Sequence, residues 1–196
     1  KYEISEPLRF EPADGGSKNA PVIYSALPGG KVIISGGRNL TGWKKFKNNI
    51  FFADLNTSAT GDTDFSELFV NGERRQCARL PKKGFYRVKG FPDGSTPYNK
   101  PGKRFEYNAG DINPRWKNLQ DIALVVYHFW TDTHLTIDAV DPREHIVSFR
   151  RPSGKAFTDD FNTEGARYIV ENVWEGLQNP GEWYIDKKAA RVYYIP

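Results

Sequence analysis

The sequence predicts an all-β protein, with a barrel- or sandwich-like domain that carries a single α-helix. Aromatic residues make up 14% of the 196 residues, and 18 Gly and 13 Pro separate short apolar runs. Aromatic and β-branched residues favour strands, whereas Gly and Pro favour the turns between them. The aromatic content also argues against disorder, although only 38% of residues are apolar and the mean hydropathy is −0.64.

Composition excludes several classes of protein. No apolar run approaches the roughly 18 residues of a membrane-spanning helix, so we expect no membrane span. The single cysteine, Cys77, excludes an intramolecular disulfide framework and a thiolate zinc site. The sequence contains no methionine. We therefore expect a secreted, periplasmic or cell-surface protein whose signal peptide has been removed, and whose two ends are cuts in a longer chain; trimmed termini are the alternative.

The first 53 residues hold short strand-like runs separated by Gly and Pro. These runs are Val22-Ile23-Tyr24, Val32-Ile33-Ile34 and Ile50-Phe51-Phe52-Ala53. The ten residues between the starts of the first two runs are too few for a helical crossover between parallel neighbours. A tight antiparallel hairpin and a solenoid of short faces both remain open.

Two β-hairpins are predicted further along the chain. Asn71-Gly72 lies between the strand-like runs 67–70 and 73–75 and favours a two-residue turn with positive φ at both positions. Near the C-terminus, the runs 183–186 and 191–194 flank Lys187–Ala190 in the same way.

The segment between Pro81 and Arg104 is basic and rich in aromatic, Pro and Gly residues. Residues 82 to 104 include seven Lys or Arg residues and only one acidic residue, Asp93. Residues 85–88 have a strand-like pattern, and the rest is predicted as loop. Cations interleaved with aromatics suit an acidic polymer, so this segment supplies the candidate substrate-binding residues; these are Lys82, Lys83, Tyr86, Arg87, Lys89 and Tyr98. A solvated loop whose aromatics pack back onto the core is the alternative.

Strands are predicted at 122–130, 135–139 and 146–150, and a helix at 163–177. Alternation in the first strand places Val126, His128 and Trp130 on one face, with both faces largely covered. In the predicted helix the apolar positions follow i, i+3, i+4 spacing, with Asn162 or Thr163 as N-cap and Asn179-Pro180-Gly181 after its end. The apolar positions are Ala166, Ile169, Val170, Val173, Trp174 and Leu177.

No residue pattern predicts a metal, cofactor or catalytic site. His128, Asp132 and His134 do not have a recognised ligand spacing. Cys77 lacks a nucleophile signature and is expected to pack. A second group, the carboxylates Asp132, Asp138, Asp141 and Glu144, is close enough in sequence to supply a glycosidase pair, but these residues stand in turn-like or alternating strand contexts. No nucleic-acid-binding module is recognisable, so no nucleic-acid partner is expected.

Several segments together resemble the opening of secreted right-handed parallel β-helix carbohydrate-active enzymes, including α-galactosidase-like and fucosidase-like glycoside hydrolases. The matching segments are Glu6-Pro7-Leu8, Pro21–Ala26, Ile34-Ser35-Gly36-Gly37 to Trp43, Leu68–Arg74, Ala78-Arg79-Leu80-Pro81, Glu171-Asn172-Val173, and Pro180–Asp186 with Arg191–Pro196. Residues 82–160 match only loosely. The resemblance implies first β-helix coils at 1–53, an inserted β-rich domain at 54–180 and a returning hairpin at 181–196.

The resemblance also implies that the catalytic carboxylates lie in later coils, so no catalytic residue is carried onto this chain. The predicted function is a non-catalytic, substrate-framing N-terminal region of a secreted polysaccharide-degrading glycoside hydrolase or lyase. Its expected partners are a polysaccharide or oligosaccharide and the remaining β-helix coils. The alternative is a stand-alone carbohydrate-binding module that recognises an anionic polysaccharide.

Overall fold

The computed structural model describes residues 1–55, 65–94, 100–159 and 164–196. The chain divides into two compact units, Lys1–Thr41 and Gly42–Pro196. Tyr98 and the predicted capping residues Asn162 and Thr163 lie outside the described residues. Of the described residues, none belongs to a helix long and apolar enough to cross a membrane.

The N-terminal unit has little regular structure. Strands β1 (Tyr2–Glu3) and β2 (Ile34–Ser35) pair in parallel, and Pro12–Asp14 form one 3₁₀ turn. The predicted strand at 22–24 is absent, and only Ile34 of the run at 32–34 belongs to a strand. No residue of this unit is buried.

The second unit consists of two β-sheets. Its strands are β3 (Lys44–Lys47), β4 (Ile50–Asp54), β5 (Leu68–Val70), β6 (Glu73–Cys77), β7 (Arg79–Leu80), β8 (Tyr86–Arg87), β9 (Arg104–Glu106), β10 (Ala123–Tyr127), β11 (Asp132–Asp141), β12 (Ile146–Phe149), β13 (Arg167–Glu171), β14 (Glu182–Asp186) and β15 (Arg191–Tyr194). The six-stranded sheet has the order β3-β4-β15-β14-β6-β5, in which only β6 and β14 pair in parallel. The seven-stranded sheet has the order β7-β13-β10-β11-β12-β9, with β8 also on β13. The all-β prediction is confirmed.

Both predicted hairpins are confirmed. Asn71 and Gly72 have φ values of 55° and 82°, which is the pair of positive values that the two-residue turn between β5 and β6 requires. Strands β14 and β15 form the second hairpin. Strands β4, β6, β14 and β15 share one sheet within residues 42–196. This sheet includes residues on both sides of positions 54 and 180, where the sequence places the ends of an inserted domain. Those boundaries stay a prediction.

The seven-stranded sheet curls around the main core. Its two edges approach through residues 86–90: β8 pairs with β13, and Gly90 bridges Glu106 of β9. The enclosed side chains are large and apolar, among them Phe105, Leu124, Val126, Leu135, Ile137, Phe149, Tyr168 and Val170. A second cluster, with Ala78, Leu177, Tyr184, Tyr193 and Ile195, lies on the six-stranded sheet.

The predicted helix at 163–177 is wrong. Its centre is strand β13, and its end is a single 3₁₀ turn at Trp174–Gly176. Tyr168 and Val170 pack inside the curled sheet, while Ile169 is buried on the opposite face. A short strand that is apolar on both faces gives the same spacing as one face of a helix, and pairing on both sides with β10, β7 and β8 decides in favour of the strand.

Candidate functional site

The cations of the basic segment mostly form ion pairs within the fold. Lys82 Nζ lies 2.7 and 2.8 Å from the two carboxylate oxygens of Glu182, whose side chain is only 8% exposed. Arg87 binds Glu164 at 2.8 Å and also donates to the Gly165 carbonyl. Lys89 pairs with Glu106, and Arg104 pairs with Asp93. Much of the local positive charge is therefore neutralised by contacts within the molecule.

The other predicted binding residues do not converge on one point. Lys83 is exposed on the turn before β8, and Tyr86 is half-buried, with its ring centroid 5.5 Å from that of Tyr168 inside the curled sheet. Burial raises the pKa of Tyr86, as does the Asp111 carboxylate. Lys82 faces β14, whereas Lys89 faces β9. Binding by these residues stays a prediction.

A pocket that sequence reasoning did not find lies where β10 turns into β11. Its open volume is about 510 Å³, and it is lined by Tyr127, His128, Phe129, Trp130, Thr131, Asp132 and Arg167. Tyr127, the last residue of β10, lies directly opposite both Asp132 of β11 and Arg167 of β13. These three residues thus form one row across three strands. We call this the turn pocket.

Two exposed aromatic side chains form one wall of the turn pocket. Trp130 is 64% exposed and Phe129 is 50% exposed. Their rings are edge to face with centroids 4.7 Å apart, a favourable arrangement for aromatic pairs. The ammonium group of Lys155 lies 5.2 Å from the centre of the Trp130 ring.

His128 fixes the turn that carries these aromatics. It is buried, with Nδ1 2.8 Å from the Ala156 carbonyl and Nε2 3.0 Å from the Thr133 hydroxyl. The carbonyl can only accept, so Nδ1 donates to it and Nε2 accepts from the hydroxyl. Burial lowers the pKa of His128 and favours this neutral form. The backbone N–H of His128 closes the turn on the Thr131 carbonyl at 2.8 Å.

An arginine and a third aromatic ring border the pocket on its other side. The Phe85 ring meets Tyr127 edge to face at 5.2 Å, and the Arg167 guanidinium lies 5.4 Å from the Phe85 centroid. Arg79 lies 5.9 Å from the same ring and donates to the carbonyls of Pro81 and Gly84. Because Arg79 holds the turn before β8, it also fixes Phe85 beneath Arg167.

Glu171 lies partly buried on the outer face of the curled sheet. Burial raises its pKa, while nearby His134 and Arg79 act in the opposite direction. Alternation along β13 places it on the same face as Arg167. The sequence does not single out Glu171, because the spacing of the apolar residues in its run predicts a helix.

The four carboxylates noted in the sequence lie on β11 and on the turn that follows it. Asp141 accepts the backbone N–H groups of Arg143 and Glu144 at 2.8 and 3.1 Å, which lower its pKa. Ala123 of β10 is aligned with Thr136 of β11 on one side and with Glu171 of β13 on the other. Asp132 lies four residues along β11 from Thr136. With two strand spacings added, the Cα atoms of Asp132 and Glu171 are about 16 Å apart.

His128 and Cys77 pack within the fold. His128 points inward, whereas Asp132 and His134 are exposed on β11. The sequence predicts this strand only from Leu135 onward. Within the described ranges, no group of three or more His, Cys, Asp or Glu is placed to hold a metal ion. Burial raises the pKa of the Cys77 thiol to about 12, so it is not a nucleophile at neutral pH.

Comparison with known proteins finds a likeness in fold. No protein-family model matches the sequence, and no curated protein matches it. A solved structure named "Glycoside hydrolase" superposes with a TM-score of 0.77 and 22% sequence identity, covering 100% of this chain and 34% of that one. The chain has a glycoside hydrolase-like fold. It spans about a third of the length of that neighbour, and the β-helix of the resemblance remains a proposal.

Proposed function

We propose that this chain is a non-catalytic, substrate-framing region of a secreted polysaccharide-degrading glycoside hydrolase. The observation that carries the proposal is the match of the entire chain, with a TM-score of 0.77, to 34% of a protein named as a glycoside hydrolase. A region of this size frames substrate by presenting side chains beside a catalytic centre located elsewhere. The turn pocket, with Trp130 and Phe129 exposed, is the surface suited to that role.

The N-terminal unit supports a place within a longer protein. It leaves many large apolar side chains exposed, among them Leu8, Val22, Ile23, Leu27 and Ile33. Burying such side chains stabilises a protein by about 1.5–3 kcal/mol each. In the proposed protein, further parallel β-coils cover them, and the parallel pair β1–β2 is the first such pairing.

A stand-alone carbohydrate-binding module remains the second candidate. The exposed aromatic pair Phe129 and Trp130 favours it, since a sugar ring has an apolar C–H face that packs on an aromatic ring and hydroxyls that reach polar groups at its edge. The two candidates share carbohydrate contact and differ in whether an associated β-helix performs hydrolysis.

Activity assays test the non-catalytic assignment. We expect the chain to hydrolyse no aryl-glycoside or plant polysaccharide above background, because the proposal places the catalytic carboxylates elsewhere in the longer protein. The longer protein should act on at least one polysaccharide. Turnover by this chain that disappears in Asp132→Asn or Glu171→Gln would contradict the proposal and place the active site on the curled sheet.

A further inference from the structure

We propose that the turn pocket is a binding subsite for an acidic sugar residue, with Trp130 and Phe129 packing on the sugar and Arg167 binding its anionic group. The anionic group is a carboxylate or a sulfate, which present the same oxygen acceptors to a guanidinium. This inference rests on the proposed carbohydrate contact and adds the class of sugar and the residues that select it.

Among the residues that line the turn pocket, Arg167 is the one with a guanidinium group that a ligand can reach. It is exposed, and among the described residues it forms no salt bridge or side-chain hydrogen bond; its contact there is with the face of Phe85. A guanidinium that contacts an aromatic ring keeps its planar N–H donors, which bind carboxylate or sulfate oxygens in pairs. By contrast, Lys82, Arg87 and Lys89 of the basic segment already bind carboxylates of the fold.

The aromatic wall is fixed before a ligand arrives. The His128 contacts to Ala156 and Thr133 hold the turn, and the Thr133 hydroxyl also accepts the Gly154 N–H at 3.2 Å. Two large aromatic side chains at least half exposed on such a turn present apolar area to a ligand at little ordering cost. Their position explains how a sugar ring would be held, but not how an acidic sugar would be preferred.

The width of the pocket allows one ligand to reach both charged ends of the row. Arg167 and Asp132 are separated by Tyr127, so their backbones are two strand spacings, or about 10 Å, apart. Both side chains line the pocket, so an anionic substituent can meet Arg167 while a hydroxyl of the same or the next sugar donates to Asp132. Tyr127 forms the floor between them.

The surrounding charge favours an anion at the Arg167 end. Arg79 lies 5.9 Å from the centre of the same Phe85 ring, and Lys155 lies 5.2 Å from the centre of the Trp130 ring. Among the described acidic groups, Glu164 binds Arg87, the residue aligned with Arg167 on β8, and Asp132 lies at the far end of the row. Burial opposes the charge of Glu171. An anionic group beside Arg167 is therefore separated from the Asp132 end of the row by about two strand spacings.

Binding measurements with matched polysaccharides test the inference. The probes are polygalacturonate with its carboxyl-reduced form, and carrageenan with its desulfated form, in 0.15 M salt so that non-specific attraction to the +4 chain is screened. The variants are Arg167→Gln, Trp130→Ala and Phe129→Ala. Arg143→Gln and Phe69→Ala remove an exposed arginine and an exposed aromatic ring outside the pocket, and thermal unfolding checks that each variant folds.

We expect the wild-type chain to bind an acidic probe more tightly than its neutral counterpart. Arg167→Gln should weaken acidic-probe binding about tenfold, equivalent to 1.4 kcal/mol, with little effect on the neutral probe. Trp130→Ala and Phe129→Ala should weaken binding to both, and the control variants to neither. Preference for polygalacturonate identifies the carboxylate, and preference for carrageenan identifies the sulfate.

The two proposals fail in different ways. Acidic-probe binding that survives Arg167→Gln and both aromatic variants, or equal binding to acidic and neutral probes, overturns the turn-pocket inference and leaves carbohydrate contact intact. Loss of binding in Arg143→Gln equal to that in Arg167→Gln also overturns it, because net charge alone would then explain the affinity. Absence of binding to every probe contradicts both the inference and the proposed substrate contact.

Discussion

Glu182 shows how a single buried carboxylate is made tolerable. It accepts two contacts from Lys82 Nζ, the backbone N–H groups of Gln178 and Asn179 at 2.9 and 3.0 Å, and the Asn179 amide at 3.1 Å. Burial alone would raise the pKa of Glu182, but these donors together hold it below its ordinary value. Lys82 therefore ties the basic segment to β14.

Replacing Lys82 with Met should destabilise the protein strongly. The substitution leaves the Glu182 carboxylate buried without its cation, a change that typically costs about 3–5 kcal/mol. The free energy of unfolding, measured by urea titration at pH 7, checks this. The exposed pair Lys89–Glu106 supplies the control, since Lys89→Met should cost less than about 1 kcal/mol. Equal losses would mean that the Lys82–Glu182 pair contributes no more than a surface pair.

The same site should make stability depend on pH. Because the pKa of Glu182 is lowered on folding, its contribution is complete above the ordinary value of 4.5 and is lost as the pH falls through the lower folded value. Urea midpoints should therefore decline below about pH 5, and Glu182→Gln should show a shallower decline. A decline equally steep in Glu182→Gln would assign the acid sensitivity to other carboxylates.

At the scale of elements, Asn172 connects the end of β13 to β14. It is buried and has a φ of 59°, the left-handed region that Asn tolerates better than most residues. Its amide donates to the carbonyls of Ile185 and Asp121 at 3.0 and 3.2 Å and accepts the Ile185 N–H at 2.8 Å. The Asn172 side chain thus supplies hydrogen-bond partners to the backbone groups of Ile185 and to the Asp121 carbonyl.

We expect Asn172→Ala to destabilise the protein by about 2–4 kcal/mol, because buried backbone groups lose their partners. Asn48 is the matched control: it also has a positive φ, 50°, but is exposed in the β3–β4 turn. Asn48→Ala bears the backbone strain alone and should cost about 1–2 kcal/mol. Urea unfolding of both variants measures the difference, and losses of equal size would mean that the Asn172 hydrogen bonds add nothing.

The elements that sequence predicted are those with local signals. Asn71-Gly72 specifies its turn through backbone conformation alone, and the hairpin follows. The sequence predicts a helix where β13 lies, because the pairing partners of this strand, β10, β7 and β8, lie far away in sequence. The turn pocket was missed for the same reason: Arg167 meets Tyr127 across a strand pair 40 residues apart in sequence. Only Phe129-Trp130, two large aromatics beside a strand end, gave a local sign.

On the scale of the whole molecule, the burial of side chains is unevenly distributed. The second unit holds two clusters of buried apolar side chains, whereas no residue of 1–41 is buried. A segment without buried side chains opens at little free-energy cost and is cleaved readily by proteases. Stability of the isolated chain is therefore concentrated in residues 42–196.

Limited trypsin digestion should cut the N-terminal unit first. Arg9, Lys18, Lys31 and Arg38 are all exposed residues of that unit, while many Lys and Arg of the second unit are held in strands of two sheets. Mass spectrometry should show early loss of residues up to Arg38 and persistence of a fragment that begins near Asn39. Slow cleavage at all four sites would indicate that residues 1–41 are stabilised in the isolated chain. In the proposed longer protein, covering coils should slow cleavage at the same four sites, so the ratio of the two rates reports directly on that packing.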